Sequence, residues 1–249
     1  MNVKLKGLVI RESPKGESGK LLTLLTDTHG VITVGAKGVR KLSAAYLRSA
    51  QMFAFSEFLL YEKNGFYTVT EASLCEDFYS LRRDITVLSL AQYFCQAAAA
   101  FAIPGEEGGE ILRLLLNCLY ALCNKDIDRG IVKAAFELRL CAVSGFAPEL
   151  EVCCNCGSDI SGECLLDIND GGAECAGCAS VGASGVLLTQ PVRLAMEHIL
   201  RSDIKKILSF RIGQNDTALL SDTAERYFLA RAETGFSALS FYKQCEELK

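Results

Sequence analysis

CCNCGSDISGECLLDINDGGAECAGC, residues 153–178, holds two C-x2-C pairs, Cys153/Cys156 and Cys175/Cys178, with 18 residues between them. That is the spacing of a paired-knuckle zinc ribbon. Two residues between thiolates allow a tight turn to bring both sulfurs to about 2.3 Å from one ion, and two such turns complete a tetrahedron. Gly157 and Gly171-Gly172 supply the backbone freedom that the turns need. Four cysteines close the coordination shell, so the expectation is one structural Zn²⁺ with no open position for a catalytic water. Two disulfides or free thiols are the competing reading. Cys154 and Cys164 are spare; Cys154 in place of Cys153 would make a C-x-C pair, a poorer fit.

Working outward, the chain has 249 residues, half of them hydrophobic and 22% charged, which is ordinary globular composition. The start, MNVKLKGLVIRE, lacks the apolar run and small-residue cleavage site of a signal peptide. Twelve cysteines without an export signal point to a reducing compartment, the cytoplasm. The uncharged run 85–105 carries Thr86, Ser89, Gln92, Gln96 and Pro104, and reads as a buried helix rather than a membrane span. Net charge is −4, against a generic nucleic-acid binder, but the charge is uneven. Residues 1–80 hold 10 Lys and Arg against 8 Asp and Glu; residues 81–249 hold 16 against 22. No acid lies between Asp27 and Glu57, where Lys37, Arg40, Lys41 and Arg48 all fall. A local basic face on an acidic chain suits phosphate; a solvated loop is the plainer alternative.

The first 80 residues show the two-residue period of strands at 3–12, 20–26, 31–36, 53–62 and 66–74, with Lys63-Asn64-Gly65 as a hairpin turn. Five short strands with a longer break after the third is the layout of an OB-fold barrel, and small SH3-like barrels fit almost as well. From Leu81 the period becomes helical, with helices expected at 81–102, within 106–123 and 126–144, then 190–201, 203–210, 216–233 and 237–248. The expected class is therefore α+β: a five-stranded barrel domain (1–80), an all-α domain (81–249), and a four-cysteine module (147–182) inserted in the helices.

Catalytic patterns are scarce, and no enzyme is expected. Gly16-Glu17-Ser18-Gly19-Lys20 imitates the end of a Walker A loop, but its first glycine would stand at Pro14 and Leu21 replaces the Ser/Thr. His29 and His198 are the two histidines, and no dyad motif surrounds either. A hydrolase built on His198 is a distant rival. A zinc-ribbon adaptor that binds protein and not DNA is a nearer one.

The run Leu21–Thr26 (LLTLLT), Gly30 and Ala36–Lys41 (AKGVRK) resembles the amino-terminal signature of the RecO recombination-mediator family. Phe146-Ala147-Pro148-Glu149-Leu150 leading into Cys153-x2-Cys156-Gly157, with Gly171-Gly172 before Cys175-x2-Cys178, is similar to that family's central module. The resemblance implies binding of single- and double-stranded DNA through the OB domain, annealing of complementary strands, partnership with RecR, and contact with the C-terminal tail of the single-stranded-DNA-binding protein SSB. It also implies help in loading RecA onto SSB-coated strands, and no small-molecule substrate. Lys37, Arg40, Lys41 and Arg48 would then line a groove along the phosphate backbone, extended by Lys20 and Lys15. Phe53, Phe55 and Phe66 are candidates to stack bases, although strand alternation sends many such side chains inward. On the acidic helical part, an apolar groove edged by basic residues would suit the SSB tail, with Arg129, Lys133 and Arg139 on one helix as candidates.

Overall fold

The computed structural model describes residues 1–16, 19–36, 44–124, 126–179 and 185–248, with backbone only for 44–46. Five strands form a closed barrel: β1 (Asn2–Lys15), β2 (Gly19–Thr26), β3 (Val31–Ala36), β4 (Phe55–Lys63) and β5 (Phe66–Glu76). Their order is β1-β2-β3-β5-β4, closed by β1 against β4. This is the OB arrangement, with helix α1 (Ala44–Ser49) between β3 and β4. Strand β1 is long enough to serve both neighbours, pairing Leu8 with Leu25 on one side and with Phe55 on the other. Alternation sends Leu5, Val9, Leu22, Leu24, Val34, Phe58, Leu60 and Val69 inward to one apolar core. Asn64 and Gly65, both at positive φ (52° and 77°), make the two-residue turn of the β4–β5 hairpin. The barrel is weakest at the parallel β3–β5 seam, where only Val34↔Tyr67 and Gly35↔Thr68 pair.

Compactness divides the chain into Met1–Cys123 with Phe236–Lys249, and Asn124–Gly235. Helices α2 (Ile85–Phe101), α3 (Gly109–Asn124, all but its last residue) and α7 (Ser237–Glu247) go with the barrel in the first of these units. Close backbone approach is one cause. Gly30 sits at φ 57°, and a Cβ there would stand 2.1 Å from the Ile103 carbonyl oxygen; one at Gly108 would stand 2.5 Å from that of Thr26. Arg82 adds a bond to the Met52 carbonyl (2.8 Å) and lies over the Phe53 ring. Helix α2 starts four residues later than expected, where Asp84 caps it by accepting from the Thr86 and Val87 amides. Tyr93 packs edge-on against Phe236, and the Gln96 carboxamide accepts from the Ala238 amide at the bare start of α7. Among the described residues no helix is long and apolar enough to cross a membrane.

The second unit joins helices α4 (Arg129–Val143), α5 (Gln190–Arg201) and α6 (Gln214–Leu229) to a four-stranded sheet. The sheet comprises β6 (Glu149–Cys153), β7 (Cys164–Asp167), β8 (Gly172–Cys175) and β9 (Gly185–Leu188), in the order β6-β8-β7-β9. Three of its strands lie within the cysteine module expected at 147–182, and the fourth, β9, lies beyond it. The helix expected at 203–210 is absent, replaced by successive turns. Asp203 draws the Lys205 amide onto its carboxylate (2.9 Å), and the His198 ring meets the Lys206 carbonyl oxygen (2.8 Å), so side chains take groups a helix would use.

Candidate metal centre and nucleic-acid interface

Strands β6 and β8 each end on a cysteine, Cys153 and Cys175, and each is followed by a tight turn that brings round Cys156 and Cys178. The turns close through Gly157 N–H to the Cys153 carbonyl and Cys178 N–H to the Cys175 carbonyl, both 2.9 Å. The four sulfurs gather within 4.8 Å of one another. Cys156 Sγ and Cys175 Sγ are 3.8 Å apart. A tetrahedral ion with bonds of about 2.3 Å needs sulfur–sulfur edges of about 3.8 Å, so the donor set fits a thiolate-preferring metal. None of the twelve cysteines is disulfide-bonded. Cys154 does not join the quartet: its amide bonds to the Ala173 carbonyl (2.9 Å) and its side chain lies against Gly172. Cys164 is buried on β7.

Electrostatics lower two thiols of the quartet and raise a third. Backbone amides of Cys175 (3.3 Å from Cys153 Sγ) and Cys156 hold the Cys153 thiol down at about 6. The Cys156 thiol is also lowered, first by the Ser158 hydroxyl. Cys178 is pushed up to about 12 by the neighbouring sulfurs of Cys156 and Cys175, the penalty of crowding thiolates that a dication would remove. The sheet that carries the quartet is tied down by arginines. Arg231 donates to the Ile168 and Asn169 carbonyls in the β7–β8 turn while its guanidinium lies 3.5 Å over the Tyr227 ring. Gly171 is required beside it, at φ 79°, where a Cβ would stand 2.6 Å from Tyr227 Oη. Arg193 donates to the Gly162 carbonyl (2.9 Å) and pairs with Glu197.

On the barrel, a groove of about 1030 Å³ opens over the β3–β5 seam. One wall is the β1–β2 hairpin (Lys15, Gly16, Gly19, Lys20), the other the start of β5 (Gly65–Thr68), and the floor is Ile32, Thr33, Gly35 and Ala36. No carboxylate lines it among the described residues. The strand-2/strand-3 face between these two hairpins is where OB barrels take oligonucleotides and oligosaccharides. Strands precede and follow the Walker-like segment, at Lys15 and Gly19.

The basic candidates fare unequally. Lys37, Arg40 and Lys41 lie outside the described residues. Lys20 lines the groove but pairs with Glu12 (2.8 Å), and Arg48 pairs with Asp77 (2.6 Å), whose carboxyl is held below its ordinary range by that guanidinium. Lys15 lines the groove with no carboxylate partner among the described residues. Of the aromatic candidates, Phe53 is in the core, 1% exposed and at φ 68°; Phe55 is half-buried; Phe66 is 78% exposed on the groove wall. Gly35 and Tyr67 belong to the groove and carry no sequence signal that would have marked them. On α4, Lys133 is buried between Glu137 (3.2 Å) and Glu225 (2.9 Å), and Arg139 donates to the Ile199 and Leu200 carbonyls, so both are structural. A separate apolar groove of about 500 Å³ lies beside α5, lined by Leu194, Ala195, His198, Phe210 and Ile212 with Arg211 at hand. His198 also meets Ser202 Oγ (3.1 Å).

Comparison with known proteins accords with this architecture. The family described as "Recombination protein O N terminal" matches residues 1–78, and "Recombination protein O C terminal" matches residues 82–238. The DNA repair protein RecO of Acetivibrio thermocellus is 26% identical over 99% of this chain and 98% of its own length. That of Moorella thermoacetica is 31% identical over 91% of this chain and 88% of its own. A closed OB-type barrel followed by helices carrying a four-cysteine cluster, together with matches along nearly the whole length, leads to one conclusion: the chain belongs to the RecO family of DNA repair proteins.

Proposed function

We propose that this chain is a recombination mediator that binds single- and double-stranded DNA on its barrel, anneals complementary strands, and with RecR helps RecA load onto SSB-coated single strands. The observation that carries the reading is the barrel groove, which has lysines on its wall and no carboxylate among the described residues that line it. Phosphate contacts release counterions and accept any sequence, as annealing demands. Lys15 meets no carboxylate among the described residues, Lys37, Arg40 and Lys41 continue the chain from the groove's Ala36, and Lys20 and Arg48 join by exchanging their carboxylates for phosphate. Both pairs are partly exposed, and such pairs are worth about 0–1 kcal/mol, so the exchange is cheap. No covalent step is part of this reading.

Cys153, Cys156, Cys175 and Cys178 hold one Zn²⁺ on this reading, and its role is to fix the β6–β8 end of the sheet rather than to supply a reacting group. The apolar groove beside α5, with the exposed Leu194 and with Arg211 to meet a carboxylate, suits the acidic and hydrophobic C-terminal tail of SSB. The test is binding of a fluorescent oligo-dT across a salt series, with the wild type and the Lys37→Ala/Arg40→Ala/Lys41→Ala variant. Steep weakening with salt, and a loss of both affinity and slope in the variant, is the expected result. A wild type that ignores DNA at low salt overturns the reading and favours the protein-only adaptor. SSB-tail peptide binding by the wild type, lost on Arg211→Ala, checks the second groove.

A further inference from the structure

Phe66 is the most exposed aromatic side chain among the described residues, and it stands on the wall of the barrel groove. We propose that its ring is the platform on which an unpaired base stacks, so that the groove takes single-stranded DNA in preference to duplex. This rests on the DNA-binding reading above and deepens it.

The ring is presented by a rigid support. Asn64 and Gly65 form the two-residue turn, Lys63 and Phe66 are the first rung after it, and the Gly65 amide is fixed by Glu62 Oε1 (3.0 Å). Alternation explains the direction of the side chain, because Tyr67, the next residue, packs onto the barrel core. It does not explain the residue type, since a polar side chain at position 66 would serve the fold as well and expose no apolar ring to water. What gives an exposed ring a use is its surroundings. Lys63 faces it across the hairpin, Lys15 and Lys20 stand on the opposite wall, and Thr33, Gly35, Ala36 and Thr68 leave depth between. Every base has a face to stack, so a ring flanked by cations binds single strands without regard to sequence. A base in a duplex has both faces covered by its neighbours and offers only its edges in the grooves. The lysines therefore serve both forms of DNA, and the ring serves one.

The test measures binding of labelled oligo-dT and of a blunt duplex of equal length by the full chain and by Phe66→Ala and Phe66→Trp. The chain contains no tryptophan, so the second substitution installs a single indole reporter at the site. Phe66→Ala is expected to weaken oligo-dT binding about 5- to 150-fold and duplex binding less than about 2-fold. Phe66→Trp is expected to keep affinity, with its indole emission quenched as oligo-dT saturates it. Gly35→Val, whose Cβ would meet nothing closer than 3.7 Å, should fill the floor and weaken single-strand binding while leaving the melting temperature near the wild type's. The inference is overturned if Phe66→Ala binds oligo-dT like the wild type, if both forms of DNA are lost equally, or if indole emission ignores saturating DNA. Those results with a wild type that binds DNA in a salt-dependent way remove only the platform; a wild type that binds no DNA removes the mediator reading as well.

Discussion

The barrel and the cysteine-bearing sheet are the two β structures of this chain, and opposite means hold them. The barrel has strands of 6 to 14 residues, closes on itself, and surrounds an apolar core in which Leu22, Leu24, Phe58 and Leu60 are fully buried. The sheet has strands of four or five residues, too short to enclose anything. It relies on four converging sulfurs at one end and on Arg193 of α5 and Arg231, just past the end of α6, which take up the carbonyls of its turns. Where apolar area is scarce, directional bonds and a candidate metal site take its place, as in small metal-stapled domains.

Four experiments bear on this contrast. Metal removal should have the largest effect, since a structural four-thiolate ion contributes on the order of 10 kcal/mol of binding free energy. Chelation, or Cys175→Ser, is expected to release one zinc per chain in a dye assay and to collapse amide protection in β6–β9, while the barrel strands stay protected. Equal loss of protection in both structures would erase the distinction. Phe58→Ala should cost about 3–5 kcal/mol in urea denaturation and leave the metal content at the wild type's. A cost under about 1 kcal/mol would mean that the barrel does not depend on its core. Arg231→Ala leaves the Ile168 and Asn169 carbonyls without their donor and should cost about 1–3 kcal/mol, only part of it restored by Arg231→Lys, which cannot reach both carbonyls and stack as well. Thermal melts of the metal-loaded variants read this directly. The smallest effect belongs to the barrel surface. Glu12→Gln frees Lys20, so stability should change by no more than about 1 kcal/mol while oligo-dT affinity rises about 2- to 5-fold at low salt. Unchanged affinity would show that Lys20 plays no part in binding.

How much of this was legible in the sequence follows from what each feature depends on. The barrel strands were readable because five two-period runs are long enough to show their alternation, and Asn64-Gly65 marks its turn by chemistry. The cysteine pairs were readable from spacing, and the structure sets Cys154 apart from the quartet. The strands β7 (CLLD) and β8 (GAEC) were not readable, since four residues cannot display a period. The segment 203–210 misled because Ile204, Ile207 and Leu208 are spaced like a helix face, while the turn depends on Asp203 and on a ring from His198. Charge was legible and its partners were not. Nothing at Arg48 announces that Asp77, 29 residues on, will meet it, or that Lys133 will be buried between two glutamates. For the same reason Phe53, Phe55 and Phe66 look alike in sequence, yet they end as core, half-buried and exposed.

The way the chain divides has a consequence for its dissection. It leaves the first compact unit at Cys123 and returns at Phe236, so the second unit is one uninterrupted piece and the first is two. A single replacement of 124–235 is therefore expected to leave the barrel folded with α7 and with the Phe236 ring that packs on Tyr93. A cut after residue 80 does the reverse: it strips the barrel of Arg82, of the Ile103 and Glu106 carbonyls against which Gly30 is bare, and of Gly108, which is bare against the Thr26 carbonyl. The piece to exchange is thus the cysteine-bearing middle, with the barrel kept together with α2, α3 and α7.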